Sequence, residues 1–184
     1  MCLASPRRGV VDTVCISYER VFEHPLEAAF DWLTDYRDDD AQRAGAIIQD
    51  REVLERSEDE IALEGELKTL GRVRHGRARV ELDPPNRWTA HLQDRKGRPS
   101  GRYEYELHDH PEGCRLTVDY HVAAPRLRDR ILLWATRPLA RREIDEMWDG
   151  FADAMARDID EDATDAAPSG TSGGSASDIG PAAS

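Results

Sequence analysis

"HPLEAAFDWLTD", residues 24–35, is the stretch of sequence that decides the fold. Pro25 stands where the first turn of a helix tolerates a missing N–H, and Glu27 and Asp31 suit the positive end of a helix dipole. The apolar residues recur at helical spacing and are Ala29, Phe30, Trp32 and Leu33. Three aspartates at 38–40 then favour an end to the helix. The stretch predicts a short helix with one apolar face.

Strand-like segments surround this helix on both sides. Residues 14–22, "VCISYERVF", alternate well enough to predict a strand before it. Residues 46–122 contain six further runs of strand character, separated by turn signals such as "DPPN", "RKGRPSG" and "HPEG". Short strands joined by tight turns predict an antiparallel meander, so the whole sheet has about seven strands. Gly65 and Gly76 fall inside strand patterns and predict bends that curl the sheet.

The alternation gives this sheet one apolar and one polar face. The apolar face combines Ile61, Leu63 and Leu67; Ala78, Val80 and Leu82; Trp88, Ala90 and Leu92; Tyr103, Tyr105 and Leu107; and Leu116, Val118, Tyr120 and Val122. An apolar sheet face needs a cover. We therefore expect another element of the chain to pack against it.

The apolar period changes to 3.6 residues from Arg126 onward, which predicts a long C-terminal helix. Its apolar stripe includes Ile131, Trp134, Ala135, Ala140, Ile144, Met147, Trp148, Phe151, Met155 and Ile159. Pro138 predicts a kink or break near Thr136 and Arg137. Residues 161–184 are rich in small residues, Pro, Gly and Ser, and predict a disordered tail. We expect an N-terminal extension at 1–13, a folded domain at 14–160 and this tail.

The order of these elements resembles the START-like superfamily, also called SRPBCC. The resemblance covers residues 14–160 and rests on the proline-led helix with Phe30, Leu33 and Asp35, followed by "RVELDPPNRW", "YEYEL", "GCRLTVDY" and a long terminal helix. His24 stands where that superfamily usually has alanine, and Ala29 where it usually has valine. The resemblance implies an α+β helix-grip fold, in which a curved antiparallel sheet wraps around the C-terminal helix and leaves a pocket for an apolar small molecule. It implies no single reaction, because the superfamily contains carriers, cyclases and chaperone-activating domains.

Polar and aromatic side chains on the concave face are the candidate ligand-binding residues. They are Tyr18, Arg20, Arg74, Trp88, Tyr103, Tyr105, Tyr120, Trp134 and Trp148. Tyr and Trp offer both apolar surface and a hydrogen-bond donor. Each arginine has two possible roles. It either anchors an anionic group of the ligand, or it pairs with an acidic residue such as Asp50 or Glu52 or lies in water at the strand end. The aromatic residues could equally fill the core.

The sequence contains no catalytic or metal-binding motif. There is no Ser–His–Asp order, phosphate-binding glycine loop or HExxH, and His108 and His110 flank a turn with no further ligand at metal-site spacing. We therefore expect no metal and no cofactor. An enzyme of the cyclase or dehydratase type would have to use Arg and Tyr donors to stabilise an enolate. The catalytic residues stay unassigned.

Net charge and composition limit the kinds of partner and the location expected for the protein. The net charge of -12 argues against nucleic acid or an anionic membrane surface as the main partner, and no apolar run is long enough to span a membrane. Three cysteines without CxxC spacing predict no disulfide framework and a reducing, cytoplasmic location. The leading functional prediction is binding of a hydrophobic small molecule or lipid. The alternatives are a polyketide cyclase-type enzyme and a protein-interaction module whose cavity is filled by side chains.

Overall fold

A computed structural model describes residues 13–37, 39, 47–69, 72–124 and 126–165. It contains seven strands and two helices in this order: β1 (Thr13–Phe22), α1 (Leu26–Thr34), β2 (Ile48–Arg56), β3 (Glu60–Thr69), β4 (Arg72–Asp83), β5 (Arg87–Asp94), β6 (Pro99–His110), β7 (Gly113–Ala123) and α2 (Leu127–Asp165). The predicted helix at 25–35 and all seven predicted strands are present, with ends shifted by a few residues.

The seven strands form one antiparallel sheet in the order β1-β7-β6-β5-β4-β3-β2. Six strands pair with their neighbours in sequence as a meander, and β1 pairs with β7 across the molecule. Gly65 lies opposite Gly76 on β3 and β4, and a Cβ at either glycine would lie within 2.6 Å of a backbone carbonyl oxygen on the neighbouring strand. These two glycines therefore allow the close backbone approach that curvature of the sheet requires.

The apolar face of the sheet is covered by the second half of α2, and α1 closes one end. The most deeply buried side chains on this face include Ile61, Val80, Leu107, Leu116 and Val118. Trp32 of α1 donates a hydrogen bond of 2.8 Å from Nε1 to Asp158 of α2, and its ring lies 5.9 Å from that of Phe151 between centroids. These contacts fix the end of α2 against α1. The predicted helix-grip architecture is confirmed.

The C-terminal helix differs from the prediction at Pro138. The sequence predicted a kink or break near Thr136 and Arg137, but α2 is assigned as one helix of 39 residues with Pro138 inside it. Pro138 is exposed, as is Trp134, whose carbonyl would have paired with the missing N–H, so water can satisfy that carbonyl. Ile131 and Trp134 were predicted in the buried stripe, yet they are 58% and 75% exposed.

The sequence also led to expectations about the cysteines, the two ends of the chain and membrane spans. Cys15 is disulfide-bonded, so the expectation that the cysteines stay reduced is wrong for this residue. The tail predicted at 161–184 starts too early, because α2 continues to Asp165; the rest of it and residues 1–12 lie outside the described residues. Within the described part of the chain, no helix is long and apolar enough to cross a membrane.

Candidate functional site

An aromatic cluster occupies the centre of the concave face. Trp148 of α2 is 4% exposed and donates a hydrogen bond of 3.0 Å from Nε1 to the hydroxyl of Tyr120 on β7. Its ring lies 6.3 Å from that of Tyr18 and 6.5 Å from that of Tyr105, between centroids. Tyr105 in turn stacks on Trp88 at 4.8 Å with an angle of 5° between the ring planes. Helix and sheet therefore meet through aromatic rings at this level.

Burial decreases from one end of the concave face to the other. Along β7 the inward side chains run from fully buried Cys114 and Leu116 to half-buried Val122, and Leu92 on β5 is also half-buried. The buried end lies next to α1, and the accessible end lies where β7 leads towards the start of α2. The interior is therefore closed at the α1 end and reached by solvent at the other.

Tyr103 and Tyr105 show that this accessible region extends into the protein. Desolvation raises the pKa of Tyr103 and raises that of Tyr105 well above its usual value, so both hydroxyls are surrounded by protein. Both side chains nevertheless keep part of their surface accessible to water. Their partial exposure lies towards the end of the concave face where Leu92 and Val122 are also half-buried. We call this region, between Tyr103, Tyr105 and Leu92, the tyrosine recess.

Two arginines face the tyrosine recess. Arg51 lies opposite Gly65 on the concave side, and its positive charge lowers the pKa of Tyr105 against the larger effect of burial. Arg74 acts in the same direction on the pKa of Tyr103. The hydroxyls of Tyr120, Tyr36 and Tyr103 raise the pKa of Tyr105 further, which places them near it. Protonated hydroxyls and the positive charge of two arginines therefore lie near one another at this end of the concave face.

Tyr36 and Arg51 were not identified from the sequence. The guanidinium of Arg51 lies 5.2 Å from the centroid of the Tyr36 ring, within the range of a cation–π contact. Tyr36 has a φ of 49°, a left-handed conformation that is uncommon for a non-glycine residue and that often marks functional sites. Strict alternation from Ile48 would place Asp50, not Arg51, on the inner face. A register shift between Ile48 and Asp50 reverses this placement.

The structure divides the nine predicted ligand-binding residues into three groups. Tyr18, Trp88, Tyr120 and Trp148 are buried in the aromatic cluster; Tyr103 and Tyr105 line the tyrosine recess, with Arg74 at its edge; and Arg20 and Trp134 lie elsewhere. Arg20 forms an ion pair with Asp149 of α2, 2.5 Å between Nη1 and Oδ1, so its acidic partner is neither Asp50 nor Glu52. Trp134 is exposed on the first half of α2.

One group of metal-ligand types lies on the outer face of the sheet. The ligand atoms of Cys15, Asp119 and His121 lie within 4.8 Å of one another. However, Cys15 is disulfide-bonded, Ser17 donates a hydrogen bond of 2.6 Å to Asp119, and His121 Nε2 lies 3.3 Å from a carboxylate oxygen of Glu104. The thiolate that a metal would require is therefore absent, and the other two side chains have protein partners.

The enclosed hydroxyls predict an unusual alkaline titration. Burial raises the pKa of four of the five tyrosines, namely Tyr18, Tyr103, Tyr105 and Tyr120. A raised pKa in the folded chain stabilises it fully below the unfolded value, and this contribution falls as pH rises above about 10. We expect the phenolate absorbance of the native protein to rise at higher pH than that of the unfolded chain, and the free energy of unfolding to decrease above about pH 10. Four or five phenolates appearing together in the folded protein would contradict the enclosed placement.

The fold is shared with many solved proteins of distant sequence. The TTHA0849 protein of Thermus thermophilus is 15% identical, with a TM-score of 0.64 over 78% of this chain and 98% of that one. The Zhui aromatase/cyclase of Streptomyces sp. R1128 is 13% identical, with a TM-score of 0.64 over 80% of this chain and 96% of that one. The di-domain aromatase/cyclase StfQ of the steffimycin biosynthetic pathway is 19% identical, with a TM-score of 0.56 over 79% of this chain and 46% of that one.

These likenesses concern the fold. No protein-family model and no curated protein sequence matches this chain. The class that these likenesses define is the helix-grip fold, which the sequence resemblance also implied.

Proposed function

We propose that the tyrosine recess binds a hydrophobic small molecule that carries at least one hydrogen-bond acceptor. The observation that supports this most directly is the pair Tyr103 and Tyr105, whose hydroxyls are enclosed by protein while their side chains still reach water. Apolar walls with a few convergent polar groups are typical of small-molecule sites. Half-buried Leu67, Ala78 and Leu92 supply apolar wall on the neighbouring strands.

The polar groups of the recess favour a particular kind of ligand. Tyrosine hydroxyls with raised pKa values stay protonated at neutral pH and donate hydrogen bonds, and arginines only donate. Arg51 and Arg74 add positive charge near the recess. A ketone, phenol, phenolate or carboxylate on an otherwise apolar or aromatic skeleton fits this set of donors, whereas an ammonium compound does not.

A second candidate function is cyclisation of a polyketone. Two structures of this fold are named as aromatase/cyclases, and the donors of the recess are suited to stabilise the negative charge of an enolate oxygen. An enzyme would also need a group that accepts a proton, and the groups placed here at the recess hold theirs at neutral pH. Formation of a ring product by the purified protein, lost in Tyr105→Phe, would favour the enzyme over the carrier.

Location is part of the same proposal. A carrier of this kind would act in the cytoplasm, as the composition suggested. The disulfide of Cys15 argues for an oxidising compartment instead.

An aromatic probe, two variants of the recess and one control variant test the binding. We expect 2-naphthol to bind the wild type, Tyr105→Phe to bind it two- to about tenfold more weakly because one hydrogen bond is lost, and Ala78→Phe to lose binding because the new ring fills the recess. Ala62→Phe is the matched control, since Ala62 is also half-buried but lies on the outer face of the adjacent strand.

Isothermal calorimetry or the emission of the probe measures these affinities. Equal binding by the wild type and Ala78→Phe would place the probe outside the recess. No binding of 2-naphthol or of its carboxylate analogue by the wild type would favour the protein-interaction module with a filled cavity.

A further inference from the structure

The first half of α2 presents an apolar stripe to solvent. Leu127, Ile131 and Trp134 recur at i, i+4 and i+7, and they are 72%, 58% and 75% exposed. Leu132 and Leu139 are also more than half exposed. The second half of the same helix shows the opposite arrangement, because Trp148 and Phe151 are buried against the sheet. The exposed stripe is therefore a property of residues 126–142, which we call the arginine-rich segment.

The charge of this segment has the opposite sign to that of the whole protein. Between residues 126 and 142 there are six arginines and a single acidic residue, Asp129, although the chain carries a net charge of -12. The arginines are Arg126, Arg128, Arg130, Arg137, Arg141 and Arg142. Arg142 Nε lies 2.9 Å from Glu146 and Arg128 Nε lies 3.6 Å from Asp129, and Arg130 also has an interaction partner. Arginines and exposed apolar residues thus alternate over four turns.

Helix and strand lengths explain why this segment is uncovered. Trp148 is fixed to Tyr120 by its hydrogen bond, and 21 residues of helix separate it from Leu127, about 31 Å at 1.5 Å per residue. From Tyr120 to the end of β7 at Ala123, the strand advances only about 10 Å. The first half of α2 therefore extends past the end of the sheet. It does so at the accessible end of the concave face.

We propose that the arginine-rich segment docks the protein on an anionic lipid surface. A helix that combines arginines with exposed Leu, Ile and Trp is typical of interfacial helices, whose apolar side chains enter the boundary between headgroups and acyl chains while the arginines bind phosphate. Trp134 is the residue type enriched at that boundary. The net negative charge of the whole chain disfavours an anionic surface, but the excess of arginine makes the charge of this segment positive.

Two other occupants fit the segment less well. A second copy docking through the same face would bring six arginines against six, because a two-fold interface pairs a patch with itself. Nucleic acid would match the arginines but leave Leu127, Ile131 and Trp134 without an apolar partner. An anionic lipid surface satisfies both the charge and the apolar stripe.

Docking there would place the tyrosine recess close to the lipid. The segment lies at the end of the sheet where β7 leads into α2, and this is also the end at which the concave face reaches solvent. A hydrophobic ligand could then pass between the bilayer and the recess along a short path. The docking itself requires no ligand, so its test is independent of the function proposed for the recess.

Vesicle co-sedimentation of the full chain tests this proposal. We compare vesicles of phosphatidylcholine alone with vesicles that also contain phosphatidylglycerol, at low and high salt. The first variant is Trp134→Ser, with Leu54→Ser as its control because Leu54 is an exposed apolar residue on β2. The second is Arg137→Gln/Arg141→Gln, with Arg95→Gln/Arg115→Gln as the control at exposed positions outside the segment. Circular dichroism melts establish that each variant folds.

We expect the wild type to sediment with the anionic vesicles and to be released by salt. Each arginine removed near the surface should weaken binding about fivefold, so Arg137→Gln/Arg141→Gln should lose about twenty-five-fold and its control less than twofold. Trp134→Ser should lose about tenfold and Leu54→Ser should bind like the wild type. Absence of binding to anionic vesicles at low salt, or equal losses in test and control variants, would overturn the proposal. So would a wild-type dimer that Trp134→Ser converts to a monomer, which would identify the face as a contact between copies.

Discussion

Replacing Trp148 with alanine is expected to lower the free energy of unfolding by about 3–5 kcal/mol. Trp148 is a buried residue of α2 that contacts the sheet, with rings of Tyr18, Phe22 and Phe151 within 6.3 Å between centroids. Its removal leaves a cavity that these rings can only partly fill. It also leaves the buried hydroxyl of Tyr120 without the Nε1 donor, which is costly for a polar group away from water.

Trp134→Ala is the matched control for this prediction. It removes the same side chain from the same helix at a position 75% exposed, so the expected change is within about 0.5 kcal/mol. Urea unfolding followed by far-ultraviolet circular dichroism measures both variants. Similar losses for the two substitutions would contradict the burial of one half of α2 and the exposure of the other.

Gly113→Ala should be destabilising by about 3 kcal/mol or more, although it adds a single methyl group. Gly113 begins β7 directly after the hairpin turn, with a φ of 136° that side chains rarely adopt. A Cβ there would overlap the carbonyl oxygen of Phe22 and lie 2.7 Å from the backbone nitrogen of His24. Both atoms belong to the backbone, so the chain between β1 and α1 would have to move.

Gly97→Ala separates the steric part of this effect from the conformational part. Gly97 also has a positive φ, 72°, but a Cβ at this position meets nothing within 4 Å. We expect a loss of about 1 kcal/mol from backbone conformation alone. Thermal unfolding of both variants gives the comparison, and a loss for Gly113→Ala no larger than for Gly97→Ala would show that the turn does not approach the end of β1 so closely.

The strands and the first helix could be read from the sequence because their signals are local. Alternation of apolar and polar residues identified the inner face correctly at Ile61, Val80 and Leu116, all of which are buried. Pro25 marked the start of α1 within one residue. The local signal at Pro138 predicted a break that does not occur. A proline removes one helical hydrogen bond, but where the helix is exposed, water can bond the free carbonyl instead.

The candidate site could be predicted only in part. Tyr103 and Tyr105 followed from alternation, and the structure places both at the recess. Arg51 and Tyr36 did not, because a register shift in β2 and a left-handed backbone conformation are set by tertiary contacts. Arg20 lies on the inner face as predicted, opposite Leu116 of β7, but its partner, Asp149 of α2, is more than a hundred residues away in sequence, beyond the reach of any local pattern.

By itself the sequence determined the elements, their order and which face of the sheet is apolar, because these depend on side chains that are neighbours along the chain. Only the tertiary structure decided which half of α2 covers that face. Trp148 and Tyr120 fix the position of the helix on the sheet, and the length of α2 then exceeds the length of sheet left beneath it. The exposed arginine-rich segment follows from that difference in length, which no periodicity in the sequence records.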